Sequence, residues 1–413
     1  MRFKFLHAAD LHLDSPLRLP GAPSTLASAT LKAFERVVSL ALREKVDFLL
    51  LAGDLFEVKD RSVRARLWLH QELSRLHQAG IATFIVHGNH DPLSADPGGL
   101  SLPSSVKVFG AAWEESEVRR GKTLLCRVQG ISYEKERVTE NLAARFHRVG
   151  DEFTVGLLHA NVGGVGAHAN YAPCALADLA ESGLDYWALG HVHTRAVHEL
   201  GGGRLAVYPG NPQGRHVVET GPRGCMLVEV EGRKTHARFV PLDVVRWHQV
   251  ALELSALDTL DGLLSAVEGA IADVCVPEDG CEAHAVRLTL TGRGPLHAQL
   301  AKSGALAGLE ETLREVLSRR EVPVLLEGVR DISRPEVDLA QVVAAGGLSG
   351  VVAEACAQGV APALCEALFA DEELRRLDAA LARAGLARTA DRGAELIEAA
   401  AYRALELLLE EGG

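Results

Sequence analysis

The chain has 413 residues, 47% of them hydrophobic and 24% charged, which suits a globular protein of two or three domains. No apolar run approaches the ~18–20 residues of a membrane span, and seven scattered cysteines without a CxxC pair fit free thiols rather than a disulfide framework. The net charge of −12 is uneven, +2 through Val240 and −14 beyond it, so charge neither supports nor excludes a nucleic-acid partner. Asp10 and Asp14 interrupt the basic N-terminus, so no secretion signal is read and a cytoplasmic location is expected.

The first 240 residues alternate short apolar strands with amphipathic helices. Strands are predicted at Phe3–His7, Asp47–Leu51, Ile81–Val86, Val106–Phe109, Phe153–Leu158 and Asp185–Leu189. Helical spacing covers Leu31–Leu42 and Ser62–Gln78, the latter with Ser62 as N-cap and a stop at Gly80. Hairpins are expected at Gly201-Gly202-Gly203 and Glu231-Gly232. Such a pattern suggests a mixed α/β sheet packed in layers. After a boundary near Pro241 come extended Gln249–Leu252, Ala285–Thr291 and Pro323–Gly328, with helices at Leu260–Ala272 and Leu296–Leu317. From about Pro335 the sequence is rich in Ala, Leu and Glu and reads as helical, including Leu364–Leu381 and Ala394–Leu409. The expected parts are 1–240, 241–334 and 335–413.

Five polar clusters each follow a predicted strand: Asp10-Leu11-His12, Gly53-Asp54, Gly88-Asn89-His90-Asp91, His159 and Gly190-His191-Val192-His193. Open α/β sheets place their sites at strand C-terminal ends. Asp and His alternating in such turns can aim at one ion, and glycines allow the backbone to approach it. Imidazole with carboxylate suits Mn, Fe or Zn better than Ca. Two ions ~3.5–4 Å apart would activate water and clamp the attacking and leaving oxygens of a phosphate. A lone DxH or GD is weak; the five together in this order are a strong signal.

These motifs resemble the calcineurin-like metallophosphoesterases, in particular the DNA-repair nuclease branch that includes bacterial SbcD. ADLHLDSPL (Ala9–Leu17), VHGNHDPL (Val86–Leu93) and YPGNPQGRH (Tyr208–His216) look most like the YhaO-type subfamily. The resemblance implies an α/β fold: a layered αββα sandwich with a smaller α/β cap domain that guides DNA and a C-terminal helical region that docks a partner. It implies that Asp10, His12 and His193 bind one divalent metal ion, that Asn89, His159 and His191 bind another, and that Asp54 bridges them. His90 would face the phosphate as acid or transition-state stabiliser, oriented by Asp91. Family preference points to Mn2+, with Fe or Zn open on ligand type alone. The implied substrate is DNA, cleaved by an exonuclease with possible single-strand endonuclease activity. The implied partner is an SMC-like coiled-coil ATPase, with a homodimer expected by resemblance only.

Glu57 stands where nuclease relatives often carry His or Asp, and a solvated loop residue is the favoured reading. His7 and His87 are expected to pack rather than ligate. Asp14 is expected to serve loop structure. Arg61, Arg64 and Arg66 could track a DNA backbone or form a solvated helical face. Gln213, Gly214, Arg215 and His216 could border the site, with Arg215 either contacting phosphate or anchoring its loop. Two other functions stay open: a phosphoesterase for nucleotides or phosphomonoesters, and a non-catalytic metal-containing scaffold for an ATPase.

Overall fold

A computed structural model describes residues 1–57, 62–95, 101–164, 171–276, 280–336, 338–358, 400–402, 404–405 and 407–409. It divides into two compact units. The first comprises Met1–Gln249, Cys275–Val286 and Leu317–Glu327; the second comprises Val250–Val274, Arg287–Val316 and Gly328–Gly413.

In the first unit, β1 (Arg2–Ala8), β2 (Phe48–Ala52), β3 (Ala82–Val86) and β4 (Val106–Val108) are parallel neighbours. A second sheet holds β5 (Glu114–Arg120), β6 (Thr123–Ile131), β7 (Thr154–His159), β8 (Tyr186–Gly190), β9 (Ala196–Glu199) and β10 (Leu205–Tyr208) in the order β5-β6-β7-β8-β10-β9. The hairpin β11 (Gly224–Glu231) and β12 (Lys234–Pro241) completes the first sheet on the β1 side, in the order β12-β11-β1-β2-β3-β4. Both glycine-marked hairpins are present.

Strand β2 shows why the layers form. Its sequence FLLLA is buried throughout, as a strand covered on both faces must be. Leu49 and Leu51 pack with α1 (Ala29–Glu44) and α2 (Val63–Gln78) on the outer face. Phe48, Leu50 and Ala52 turn the other way, against Val128, Val155 and Leu157 of the second sheet. Phe5 stacks on Phe48 with ring centroids 4.8 Å apart, and Phe84 meets Phe48 edge-on at 5.9 Å. Helix α1 offers Leu31, Phe34, Val37, Val38 and Ala41 on one stripe. Helix α2 starts at Ser62, whose hydroxyl accepts from the Ala65 N–H at 2.9 Å, a cap worth about 1 kcal/mol. The outer face of the second sheet is covered by α3 (Leu176–Glu181), where the Trp187 indole donates to the Leu179 carbonyl at 3.1 Å. The order helix, sheet, sheet, helix is the expected αββα sandwich.

The β5–β6 hairpin is an element that the sequence pattern does not announce. Its turn at Gly121 (φ 62) lies in the charged run EVRRGK, and one register shift at Val118/Arg119 breaks the alternation.

A three-stranded sheet contains β13 (Val245–Glu253), β14 (Ala283–Thr291) and β15 (Val324–Asp331) in that order. The second unit holds α4 (Leu260–Val274), α5 (Leu296–Leu300), all but the last two residues of α6 (Ala305–Ser318), α7 (Leu339–Ala345) and α8 (Gly347–Gln358). The single helix expected over Leu296–Leu317 is two, because Gly304 adopts a left-handed φ of 81° between α5 and α6. Tyr402 and Leu405 are buried beside Ala353 and Cys356. The helix expected at Leu364–Leu381 lies outside the described residues, as does much of Ala394–Leu409. Among the described residues no helix is long and apolar enough to cross a membrane.

Candidate metal centre and active site

β1, β2 and β3 are parallel in one sheet, and β7 and β8 are parallel in the other. The five polar clusters occupy the C-terminal ends of these five strands. Four of the residues involved sit in left-handed backbone: Asp10 (φ 55), His12 (φ 41), Asp54 (φ 51) and His191 (φ 99). Such conformations cost of order 1–3 kcal/mol in a non-glycine residue and collect at functional sites. Glycines give the close approach. A Cβ on Gly88 would lie 2.3 Å from Asp54 Oδ1, and one on Gly190 would lie 1.8 Å from the Ala52 carbonyl oxygen.

Two groups of side chains converge. Asp10, His12 and His193 each offer a ligand atom within 4.8 Å of the others, and so do Asp10, Asp54 and His159. His12 Nε2 lies 3.2 Å from His193 Nε2 and 4.0 Å from Asp54 Oδ2. The same Asp54 oxygen is 3.4 Å from His159 Nε2, so Asp54 stands between the two imidazole sets. Asn89 Oδ1 is 3.1 Å from His159 Nε2. The His191 ring meets His159 edge-on at 5.2 Å, while its backbone N–H donates to Asp10 Oδ1 at 3.0 Å. Asp10, His12, Asp54, Asn89, His159, His191 and His193 thus lie side by side at these strand ends.

Hydrogen bonds pre-set which ring nitrogens face the pocket. His159 Nδ1–H donates to the Ala52 carbonyl at 2.9 Å, which leaves Nε2 toward Asp54 and Asn89. His193 Nδ1–H donates to Glu219 at 2.5 Å, which leaves Nε2 toward His12. Outer partners of this kind fix a ligand's tautomer and raise its basicity. Glu219 also accepts from the Arg215 and Asn211 N–H groups. It has no motif spacing to the metal clusters, so nothing local in the sequence marks it.

The charges also fit divalent cations. Burial pushes the Asp10 carboxyl up to about 6, opposed by the His193 and His159 imidazoles. Burial pushes Asp54 the same way, but His159, His12 and His90 outweigh it and hold Asp54 well below the carboxylate range. Burial works against charge on His159, yet Asp54 and Asp10 raise it to about 9. A proton on His159 thus balances the buried carboxylates, a role a divalent cation can take over. His12 is fully buried and is driven well below its ordinary value by burial and by Arg215; its Nδ1 makes no hydrogen bond. Oxygen and imidazole donors, pre-oriented and buried, are a fitting donor set for two transition-metal ions.

His90 lies at the edge of this group. Its Nδ1 bonds Glu57 at 2.7 Å, and Glu57 also lies 3.6 Å from His12 Nδ1 and 3.7 Å from Arg215. Glu57 is therefore no solvated loop residue. Asp91 does not orient His90, contrary to expectation. Its buried carboxylate accepts from the N–H groups of Asp54 (3.2 Å), Leu55 (2.9 Å) and Gly88 (2.8 Å) and touches His87 at 3.2 Å. Asp91 braces the two turns because it points back under them, while Glu57 reaches His90 from a different loop. A cleft of ≈ 380 Å³ opens here, lined by Ser15, Pro16, Arg18, Glu57, His90, Arg215, His216 and Glu219.

Several other candidates make contacts within the fold. His7 is buried and bonds Tyr186 Oη at 3.1 Å and the Leu189 carbonyl at 3.2 Å. Asp14 accepts from Ser62 Oγ and lies 3.7 Å from Arg64. Gln213 accepts from the Val244 and Val245 N–H groups, so it anchors its loop rather than bordering the cleft. Arg61 lies outside the described residues.

The family model for calcineurin-like phosphoesterases matches residues 3–195, which carry the whole cluster, and the model for the YhaO metallophosphoesterase middle domain matches residues 247–334. The uncharacterized metallophosphoesterase YhaO of Bacillus subtilis is 36% identical over 326 residues, covering 77% of this chain and 78% of that protein. The chain belongs to the YhaO-type calcineurin-like metallophosphoesterases. The wider family binds two divalent metals, in keeping with the two Asp/His groups found here. The YhaO-type chain is also similar to the DNA double-strand break repair protein Mre11 of Sulfurisphaera tokodaii, at 26% identity over 54% of this chain and 59% of that one. For Mre11 of Aeropyrum pernix the identity is 30%, over 50% and 53%. The chain thus spans little more than half the length of these archaeal relatives. Among solved structures, TT1561 of Thermus thermophilus is 14% identical, with a TM-score of 0.33, over 58% of this chain and 99% of that one.

Proposed function

We propose that this metallophosphoesterase is a DNA phosphodiesterase, an exonuclease with single-strand endonuclease activity that serves DNA repair in the cytoplasm. The observation that carries the reading is the position of His90, held by Glu57 at the mouth of a cleft that also presents Arg18, Arg215 and His216. Likeness to proteins named for double-strand break repair favours DNA as the substrate.

Asp10, His12 and His193 would hold one ion and Asn89, His159 and His191 the other, with Asp54 between them; Mn2+ is the proposed metal. The bound ions supply the positive charge that activates water and neutralises phosphate. Burial disfavours a charged His90, but the Glu57 hydrogen bond and the Asp54 charge raise it above the usual histidine value. The shift favours the protonated form that a general acid needs. With Nδ1 committed to Glu57, Nε2 is the nitrogen that hands a proton to the leaving oxygen. Arg215 and Arg18 attract the phosphate backbone. Residues 1–240 form the catalytic part, 241–334 guide DNA, and 335–413 dock an SMC-like coiled-coil ATPase, in a homodimer.

The test uses purified protein with Mn2+ on labelled duplex DNA and on a chromogenic phosphodiester. Wild type should cleave both, and His90→Ala should lose on the order of 100-fold or more while still binding metal. Cleavage of the small compound without DNA hydrolysis at any salt supports the alternative small-molecule phosphoesterase. A His90→Ala protein that matches wild type in every assay removes the mechanism.

A further inference from the structure

A third group of metal-ligating side chains lies in the first unit and includes none of the residues discussed above. His248 is on β13 and His284 is on the neighbouring β14. Cys275 directly follows α4 in sequence. His248 Nε2 is 3.0 Å from His284 Nδ1, and one donor atom from each of the three residues lies within 4.8 Å of the other two. His284 is 1% exposed and Cys275 8%, so donors of three different segments meet in a largely dry place.

We propose that His248, Cys275 and His284 form a separate site for a cation of the zinc class. Ligands at ~2.0–2.1 Å (N) and ~2.3 Å (S) around a tetrahedral ion lie about 3.3–3.6 Å from one another. The observed spacing is close enough to reach this by side-chain adjustment. A thiolate with two imidazoles selects Zn2+ over Mn2+, because soft donors bind the softer ion. Metal binding would release the Cys275 thiol proton to solvent and form the Zn–S bond. The two histidines would coordinate as neutral imidazoles. Three protein ligands leave a fourth position for water or another donor. The ion would fasten Cys275 to the β13–β14 pair. The site is independent of the DNA reading, because it shares no residue with the phosphoesterase cluster.

The donor sets make the two sites separable. The phosphoesterase cluster has only oxygen and nitrogen donors, so only the new site gives a thiolate-to-Co2+ charge-transfer band. Full-length protein titrated with Co2+ should show that band, and about one equivalent of Zn2+ should abolish it. Cys275→Ser and His284→Gln should each lack it, whereas Cys281→Ser should keep it. Absence of the band from wild type, or its persistence in Cys275→Ser, overturns the proposal. Zinc-edge X-ray absorption on wild type preloaded with Mn2+ gives a reading that needs no variant. One sulfur at about 2.3 Å is expected, and a shell of light atoms alone overturns the site.

Discussion

His90 Nδ1 donates to the Glu57 carboxylate at 2.7 Å, so the orienting partner of this histidine comes from the loop after β2 and not from its own GNHD turn. Burial opposes ionisation of Glu57, yet His90 and Arg215 hold its carboxyl below the usual range. Glu57→Gln should therefore lower turnover of a chromogenic phosphodiester about 10- to 100-fold, with metal content by mass spectrometry unchanged. The sign of the pH effect follows. Glu57 raises the His90 pKa, so its loss should shift the alkaline limb of the kcat profile to lower pH. An unshifted limb contradicts the assignment.

Gly190 of the second sheet lies against Ala52 of the first at the site. A methyl group there would lie 1.8 Å from the Ala52 backbone oxygen, which cannot swing away, and 2.9 Å from the His159 side-chain Nδ1. Gly190→Ala should cost at least about 2 kcal/mol by urea denaturation and reduce metal content. Gly269 is the control. It lies within α4 with nothing within 4 Å of an added Cβ, so Gly269→Ala should stabilise by about 0.5–1 kcal/mol.

Chelation should lower stability measurably. Asp10 and Asp54 are buried among histidines, and cations that bind only the folded chain stabilise it by mass action. Dialysis against a chelator should lower the melting temperature, by an amount equivalent to about 2.7 kcal/mol per ion held at 100 times its Kd. Mn2+ should restore it. A melting temperature indifferent to both treatments argues against ions in this pocket.

His7 predicts a pH dependence of folding. Burial lowers its pKa to about 3, with the Leu189 carbonyl pulling the other way. Between pH 6.5 and about 3 the unfolded chain binds a proton at His7 that the folded chain refuses. That contribution to stability is complete above pH 6.5 and shrinks as pH falls, by up to about 1.4 kcal/mol per pH unit. His7→Gln should flatten the stability–pH curve in that window by nearly one proton. An identical slope in both proteins rules this out.

Much of the site is legible in the sequence because each motif is local: an apolar strand ends and a polar turn follows. Asp10, Asp54 and His159 are each found this way. Glu219 and Glu57 are not, because their roles depend on loops meeting in space. Glu219 reaches His193 across 26 residues, and Glu57 reaches His90 across 33. The error over Asp91 has the same origin. The family resemblance implies that Asp91 orients the adjacent His90, whereas its carboxylate turns toward the amides of Asp54 and Leu55 on another strand end. In the fold, α1 and α2 are legible from periodicity, while the β5–β6 hairpin is hidden by charged residues at its turn.

Directional bonds join the sheets at one end, among them three that frame the metal cluster: His7 Nε2 to the Leu189 carbonyl, His159 Nδ1 to the Ala52 carbonyl, and the His191 N–H to Asp10. Much of the interface is greasy, Phe48 and Leu50 against Val155 and Leu157, and such contacts are non-directional. The polar seam is not. A slip of a single residue between the layers would break all three links together, so the catalytic pocket exists only when the sandwich has closed in correct alignment, and a misaligned sandwich is inert rather than partly active.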